Sequence, residues 1–157
     1  MKPLSNGTLV KIIFELPEDS PYGAESLWAE RIAEGKYRLD NSPFYVYGYS
    51  HEDVVAVIEE DGSLVVKGLI ARGGHSTYRV YLAEELTVDS QEFEAYWCRL
   101  ESLGCTYEGA NQRMLAIDVP PAASIFAVYR ILEEGEAARV WEFEEGHCGH
   151  LESESEQ

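Results

Sequence analysis

From Thr8 to Leu16 apolar and polar side chains alternate, with Val10, Ile12, Phe14 and Leu16 on one face and Lys11 and Glu15 on the other. That period of two marks a half-buried strand. Pro17 to Gly23 interrupts it. Two further strands are expected over Ser26–Ala33 and Lys36–Leu39, turned at Glu34-Gly35, before Asp40-Asn41-Ser42-Pro43 makes a longer bend. Phe44–Tyr49 reads as a fourth strand, with Phe44 and Val46 inward and a row of Tyr45, Tyr47 and Tyr49 outward. Asp53–Glu59 and Ser63–Ala71 are valine-rich runs joined by Asp61-Gly62, a strong hairpin signal because such turns need positive φ. Short strands with no helical period predict a small, SH3-like β-barrel over residues 8–72.

After Gly73-Gly74 the pattern changes. Tyr78–Leu82 reads as a strand. Asp89 and Glu92 form a capping-box pattern ahead of Phe93, Tyr96, Trp97, Leu100 and Leu103, which recur at helical spacing up to Gly104. Cys105–Glu108 and Met114–Val119 predict two strands. Pro120-Pro121 then opens a helix striped by Ile125, Val128, Tyr129 and Leu132 and closed by Gly135. Ala138–Glu144 supplies a last strand. The order β-α-β-β-α-β over residues 75–146 is that of a ferredoxin-like lobe, so the fold class is α+β. The polar, acidic tail 151–157 is expected to be disordered.

Composition narrows the partners. The formal charge is −17, from 29 acidic and 12 basic residues, a field that repels phosphate backbones and anionic headgroups. It argues against nucleic acid and membranes and for a basic protein partner, of which a toxin or nuclease is one kind. The N-terminus lacks the apolar run of a signal peptide and no later stretch is long enough to cross a bilayer, so a cytoplasmic location is expected. Cys98, Cys105 and Cys148 are too few and oddly numbered for a disulfide framework.

Four stretches carry a family resemblance: Ser26 to Glu30, Gly35 to Phe44, Gly73 to Arg79 and Val140 to Cys148. Together they resemble a bacterial family described as domain of unknown function 4265, over about Lys11 to Gly149. The resemblance implies no activity, so no catalytic residue carries over from it. By charge alone the chain is similar in character to immunity proteins that neutralise toxins.

The candidate chemistry is sparse. His75-Ser76 invites a nucleophile reading, but adjacent residues on an extended chain point to opposite faces, and no nucleophile elbow is present. Gly73 to Arg79 is better read as a joint, with Ser76, Thr77 and Arg79 bonding across it. His147, Cys148 and His150 put three zinc-type donors in one cluster, without the second pair that structural sites use; a polar turn after the last strand is the competing reading. Glu142 and Glu144 should share one face of the last strand, opposite Trp141 and Phe143. The expected function is a non-catalytic, inhibitor or immunity-type binding protein, monomeric or dimeric, with no cofactor. Its surface would include Tyr45, Tyr47, Tyr49, His75, Ser76, Tyr78, Arg79, Glu142 and Glu144. The alternative is an enzyme or a small-molecule or metal-binding protein with its site at the seam around His75 and the His147–His150 cluster.

Overall fold

The period-two segments of the first half pair largely in chain order, because most of their turns are short enough to lay each strand beside the one before. The computed structural model describes residues 8–109, 111 and 113–150. β1 (Leu9–Glu15), β2 (Ala24–Ala33), β3 (Lys36–Leu39), β4 (Val54–Glu60) and β5 (Ser63–Ala71) form one sheet. Successive strands are antiparallel. β5 returns to β1 as a parallel neighbour at Ile13 and Val65, which closes the sheet into a ring of five strands. Ile12, Phe14, Leu27, Leu39 and Val55 fill its interior. The hairpin residues Asp61 and Gly62 sit at φ 52° and 82°, the left-handed pair such a two-residue turn demands.

The expected strand at Phe44–Tyr49 does not form; residues 44–49 run as an irregular strap. Pro43 offers no N–H, Gly48 turns at φ 90°, and the amides of Phe44, Tyr45 and Val46 and the carbonyls of Pro43 and Val46 are taken by side chains rather than by a neighbouring strand. The tyrosine row is therefore broken up. Tyr49 packs edge-on against Phe14 at 4.8 Å, in the core of the ring, while Tyr45 and Tyr47 face elsewhere.

The second half follows the expected order: β6 (Ser76–Leu82), α1 (Gln91–Ser102), β7 (Thr106–Gly109), β8 (Met114–Val119), α2 (Ile125–Ala137) and β9 (Trp141–Cys148). Its sheet runs β7-β8-β6-β9 with every pair antiparallel. Both helices cover the face that carries Tyr78, Val80 and Leu82, and Phe93, Trp97, Leu100, Val128 and Leu132 complete that core. Strand alternation then turns Thr77, Arg79 and Tyr81 to the other face, toward the ring.

Several boundaries move. Ser90, not the Asp89 and Glu92 pair, caps α1, and without a side-chain bond to the helix; its hydroxyl instead accepts the Thr87 N–H at 2.9 Å. α2 begins at Ile125, where the Ser124 hydroxyl accepts the Ala127 N–H at 3.2 Å, so Pro120 and Pro121 precede the helix rather than open it. Ile131 joins its buried face while Tyr129 stays 41% exposed. Gly135 does not end α2 but lies inside it, because a Cβ there would stand 2.5 Å from Cε2 of Trp141. That indole donates its N–H to Leu132 O at 2.9 Å. β6 starts at Ser76, and β9 continues past Glu144, pairing His147 with Thr77 and Cys148 with Ser76. The expected turn at His147 and Cys148 is therefore strand. The acidic tail lies outside the described residues. Among the described residues no helix is long and apolar enough to cross a membrane.

Candidate functional site

The strap is where the two halves meet. The Glu25 carboxylate, buried at the start of β2, accepts the backbone N–H groups of Phe44 at 2.6 Å, Tyr45 at 3.0 Å and Val46 at 2.9 Å. From the other side Arg79, 1% exposed, donates to Pro43 O at 3.1 Å and to Val46 O at 3.1 and 3.2 Å. Phe44, Tyr45 and Val46 thus have their donors met by an anion from the ring, and Pro43 and Val46 their acceptors met by a cation from the second sheet. Further stitches flank it. Glu108 accepts from Asn41 Nδ2 and from Ser42 N, each at 2.8 Å; Gly48 N donates to Gly146 O at 3.0 Å; and Thr77 Oγ1 donates to Ser50 Oγ at 2.7 Å.

Held this way, the strap forms one wall of a cleft of about 740 Å³. The β1–β2 loop supplies Pro17, Asp19 and Tyr22, the strap supplies Tyr45 and Tyr47, and the open face of the second sheet supplies Tyr81, Arg113, Glu142 and Glu144. Tyr22 and Tyr45 meet with ring centroids 4.3 Å apart and planes tilted by 33°. Glu144 accepts the phenol O–H of Tyr47 and that of Tyr81 at 3.3 Å. The Arg79 guanidinium lies 4.6 Å from the centroid of the Tyr47 ring. Its Nε is buried with no hydrogen-bond partner among the described residues and stands 3.8 Å from Glu144 Oε2. The Tyr47 phenol is pushed above its ordinary range by its bond to Glu144 first and by burial second; Tyr81 is raised by burial first and then by Glu144. Both phenols therefore stay protonated as donors at neutral pH.

A second cluster lies around His75. Its Nδ1 is 2.8 and 3.1 Å from the two Asp118 oxygens, and its Nε2 is 3.3 Å from Glu52 Oε2. Burial depresses the His75 pKa, but the two carboxylates outweigh it and hold the ring above its ordinary value. Ser76 turns the other way. Its hydroxyl meets His150 Nδ1 at 2.7 Å and accepts the N–H of Gly149 at 2.9 Å. His150 Nε2 meets Pro120 O at 2.9 Å, so it carries the proton there and leaves Nδ1 to accept from the Ser76 O–H.

Of the residues singled out from the sequence, Tyr45, Tyr47, Arg79, Glu142 and Glu144 come together at or beneath the cleft, while Tyr49, Ser76 and Tyr78 do not. Tyr78 is buried under the helices and donates to Glu145 Oε1 at 3.0 Å; burial raises its pKa far above the usual phenol range. Ser76 bonds within the second half rather than across the seam, whereas Thr77 and Arg79 do cross it. Of the proposed zinc cluster, His150 is engaged at both nitrogens, and successive strand residues set His147 and Cys148 on opposite faces. Among the described residues no group of three or more His, Cys, Asp or Glu side chains is placed to hold a metal ion. The sequence did not single out Glu25, Tyr81 or Asp118. Asp118 had a signal, a lone acid within the apolar run Met114–Val119; Glu25 had none, since its partners lie about twenty residues on.

Fold and site together define a two-sheet α+β protein whose halves are joined over a tyrosine-walled, acidic cleft. The chain belongs to the family described as domain of unknown function (DUF4265), whose model matches residues 25–143. It is also similar to a hypothetical protein from Neisseria gonorrhoeae known from a crystal structure. The TM-score is 0.77 at 18% identity, over 90% of this chain and 95% of that one, a likeness of fold alone. A comparison with curated proteins gave no match.

Proposed function

We propose that this protein is a non-catalytic binding protein that takes a basic, extended segment of a protein partner into the cleft between its two sheets. The observation that carries the reading is the lining, in which Tyr22, Tyr45, Tyr47 and Tyr81 stand beside Asp19, Glu142 and Glu144 with Arg113 the basic group. Tyrosine faces attract cations and give large contact area at low entropic cost. The net charge of −17 would speed encounter with a basic partner. The Ser76 and His150 pair supports a non-enzymatic role, since Ser76 is fully buried and the far nitrogen of the imidazole faces a carbonyl rather than an orienting carboxylate. An inhibitor or immunity-type factor acting on a basic toxin or nuclease in the cytoplasm is the physiological form of this proposal. The same reading takes the ring as an SH3-like barrel and the second half as a ferredoxin-like lobe; the strand order β7-β8-β6-β9 supports the latter.

The test is to titrate isotope-labelled protein with a decapeptide of alternating lysine and glycine and map the amide shifts. Expected are shifts on the strap and on the open face of β9, weakening with salt. Glu142→Lys should weaken binding about tenfold. Glu59→Lys, which changes net charge equally on β4 away from the cleft, should leave it within about twofold. Equal weakening in the two variants, or shifts spread over the surface, would overturn the proposal.

A further inference from the structure

We infer that the outer edge of β9 is a strand-addition site, on which an extended partner segment pairs its backbone while presenting basic side chains to one face and apolar side chains to the other. The inference rests on the reading above for the partner's charge and adds how that partner is held.

The backbone argument comes first. β9 ends the strand order β7-β8-β6-β9, so among the described residues it pairs with β6 on one side and with no strand on the other. In an antiparallel ladder successive residues direct their N–H and C=O groups alternately toward and away from the neighbour. Val140 O accepts from Ala83 N at 2.9 Å, on the β6 side. Phe143 N points away from β6, because it donates to Glu136 Oε2 at 3.2 Å. Glu145, two residues on, shares that outward direction. The strap engages β9 only beyond this point, where Gly48 N donates to Gly146 O at 3.0 Å.

Glu136 marks the place that a partner carbonyl would take. It is an exposed residue of α2, and its carboxylate gives an outward N–H of the edge the acceptor that a neighbouring strand would otherwise supply. Charges of this kind guard sheet edges against unwanted pairing. A guard on a surface side chain is one that the right strand displaces.

The two faces beside the edge differ. Phe143 and Glu145 lie on the helix side, where the Phe143 ring meets Tyr129 at 5.4 Å and Glu145 accepts the Tyr78 phenol O–H. Next to them runs a groove of about 430 Å³ walled by Phe126, Tyr129, Arg130 and Glu133, in which Phe126 is 63% exposed. Glu142 and Glu144 lie on the opposite side, at the cleft. An added strand has a period of two, so every second side chain falls on the groove and the others fall beside the two carboxylates. Main-chain bonds give such a complex its affinity and alternate side chains its specificity.

Charge selects the occupant. A second copy of this chain pairing antiparallel about Phe143 would set Glu142 opposite Glu144, and like charges directly opposite destabilise a sheet. Each copy also carries a charge of −17. Lysine or arginine at alternate positions turns the same contacts into attractions, so the occupant is a basic, amphipathic strand of another protein.

The experiment uses the full chain and the end-blocked heptapeptide Lys-Val-Lys-Phe-Lys-Val-Lys. A second form, N-methylated at the Val, Phe and central Lys amides, keeps every side chain and charge but cannot pair along either edge. Expected is a loss of roughly tenfold or more in affinity on methylation. Amide exchange at Phe143 and Glu145 should slow when the unmethylated peptide binds. Phe126→Ala should weaken that binding roughly fivefold, and the exposed position lets the variant fold as the parent does. A methylated peptide that binds within about twofold of its parent, or unaltered exchange at Phe143 and Glu145, would overturn strand addition; if Glu142→Lys still weakens binding in that case, the cleft reading survives. No saturable binding of the heptapeptide would overturn both. A dimer of the free chain whose Phe143 and Glu145 amides are already protected would assign the edge to a second copy and overturn the inference as well.

Discussion

Removing the Glu25 carboxylate tests whether the strap is held by side chains as described. In Glu25→Gln one oxygen remains, and it can keep the two amides that share Oε1, those of Tyr45 and Val46. The new NH2 then meets the Phe44 N–H, whose bond to Oε2 is the shortest at 2.6 Å, so a charged acceptor becomes a second donor. Losing one such bond costs about 1.5–3 kcal/mol. Because the strap residues are only half-buried and water can reach them, about 2 kcal/mol is the better figure, or roughly 4–8 °C in melting temperature for a chain of this size. Glu25→Ala loses all three bonds and should cost about 3–5 kcal/mol after the same allowance. Urea unfolding gives the stabilities. Amide exchange gives the location: Phe44, Tyr45 and Val46 should lose protection while the amides of β8 keep theirs. A Gln variant as stable as the parent, with the three amides still protected, would refute the reasoning.

Two other outcomes follow from packing and burial. Gly135→Ala gains about 1 kcal/mol of helix propensity, but the methyl would meet the Trp141 indole at 2.5 Å and overpacking costs about 1–3 kcal/mol; net destabilisation with an altered near-ultraviolet tryptophan signal is expected, and a stabilised variant would contradict it. Cys105 is buried and its pKa is pushed up to about 12, by desolvation first and by Asp118 second. The folded state therefore holds that proton more tightly than the unfolded chain, so the stability it confers is complete below the unfolded thiol pKa of about 8.5 and is lost as pH rises from there toward the folded value. Unfolding free energy measured from pH 8 to 10.5 should fall, and Cys105→Ala should flatten the slope; an unchanged slope would remove Cys105 as its source.

The element order was legible because the first half keeps a period of two throughout and the second alternates segments of period two and 3.6. Ser63–Ala71 and Met114–Val119 fall where the pattern puts them. The failure at Phe44–Tyr49 has a definite cause. Alternation reports which side chains could face inward, but not whether a strand is available to pair, and here Glu25 and Arg79 supply the partners instead. Gly135 misled for a related reason, since a glycine within a helix can mark close packing as well as an end, and only Trp141 distinguishes the two. Half of the cleft was visible in advance as Tyr45, Tyr47, Glu142 and Glu144. The other half comes from the β1–β2 loop and from Tyr81 and Arg113, which only the docking of the two sheets brings near. His75 stood out by residue type; its partners Glu52 and Asp118 are 23 and 43 positions away, beyond any local signal.

Residues 41–50 belong to the first half by sequence but are bonded to both halves, to the first through Glu25 and to the second through Glu108, Arg79, Gly146 and Thr77. Cutting the chain between Arg72 and Gly73 would follow the change in periodicity and still sever the strap from its partners on the second sheet. The fragment ending at residue 72 would keep its five strands but leave the strap carbonyls without their guanidinium. The fragment beginning at residue 73 would expose to water the Arg79 face of its sheet, which the strap now covers. Neither piece has reason to fold alone, and the intact chain should melt in one transition whether it is followed by the tyrosines of the ring or by the tryptophans of the second sheet.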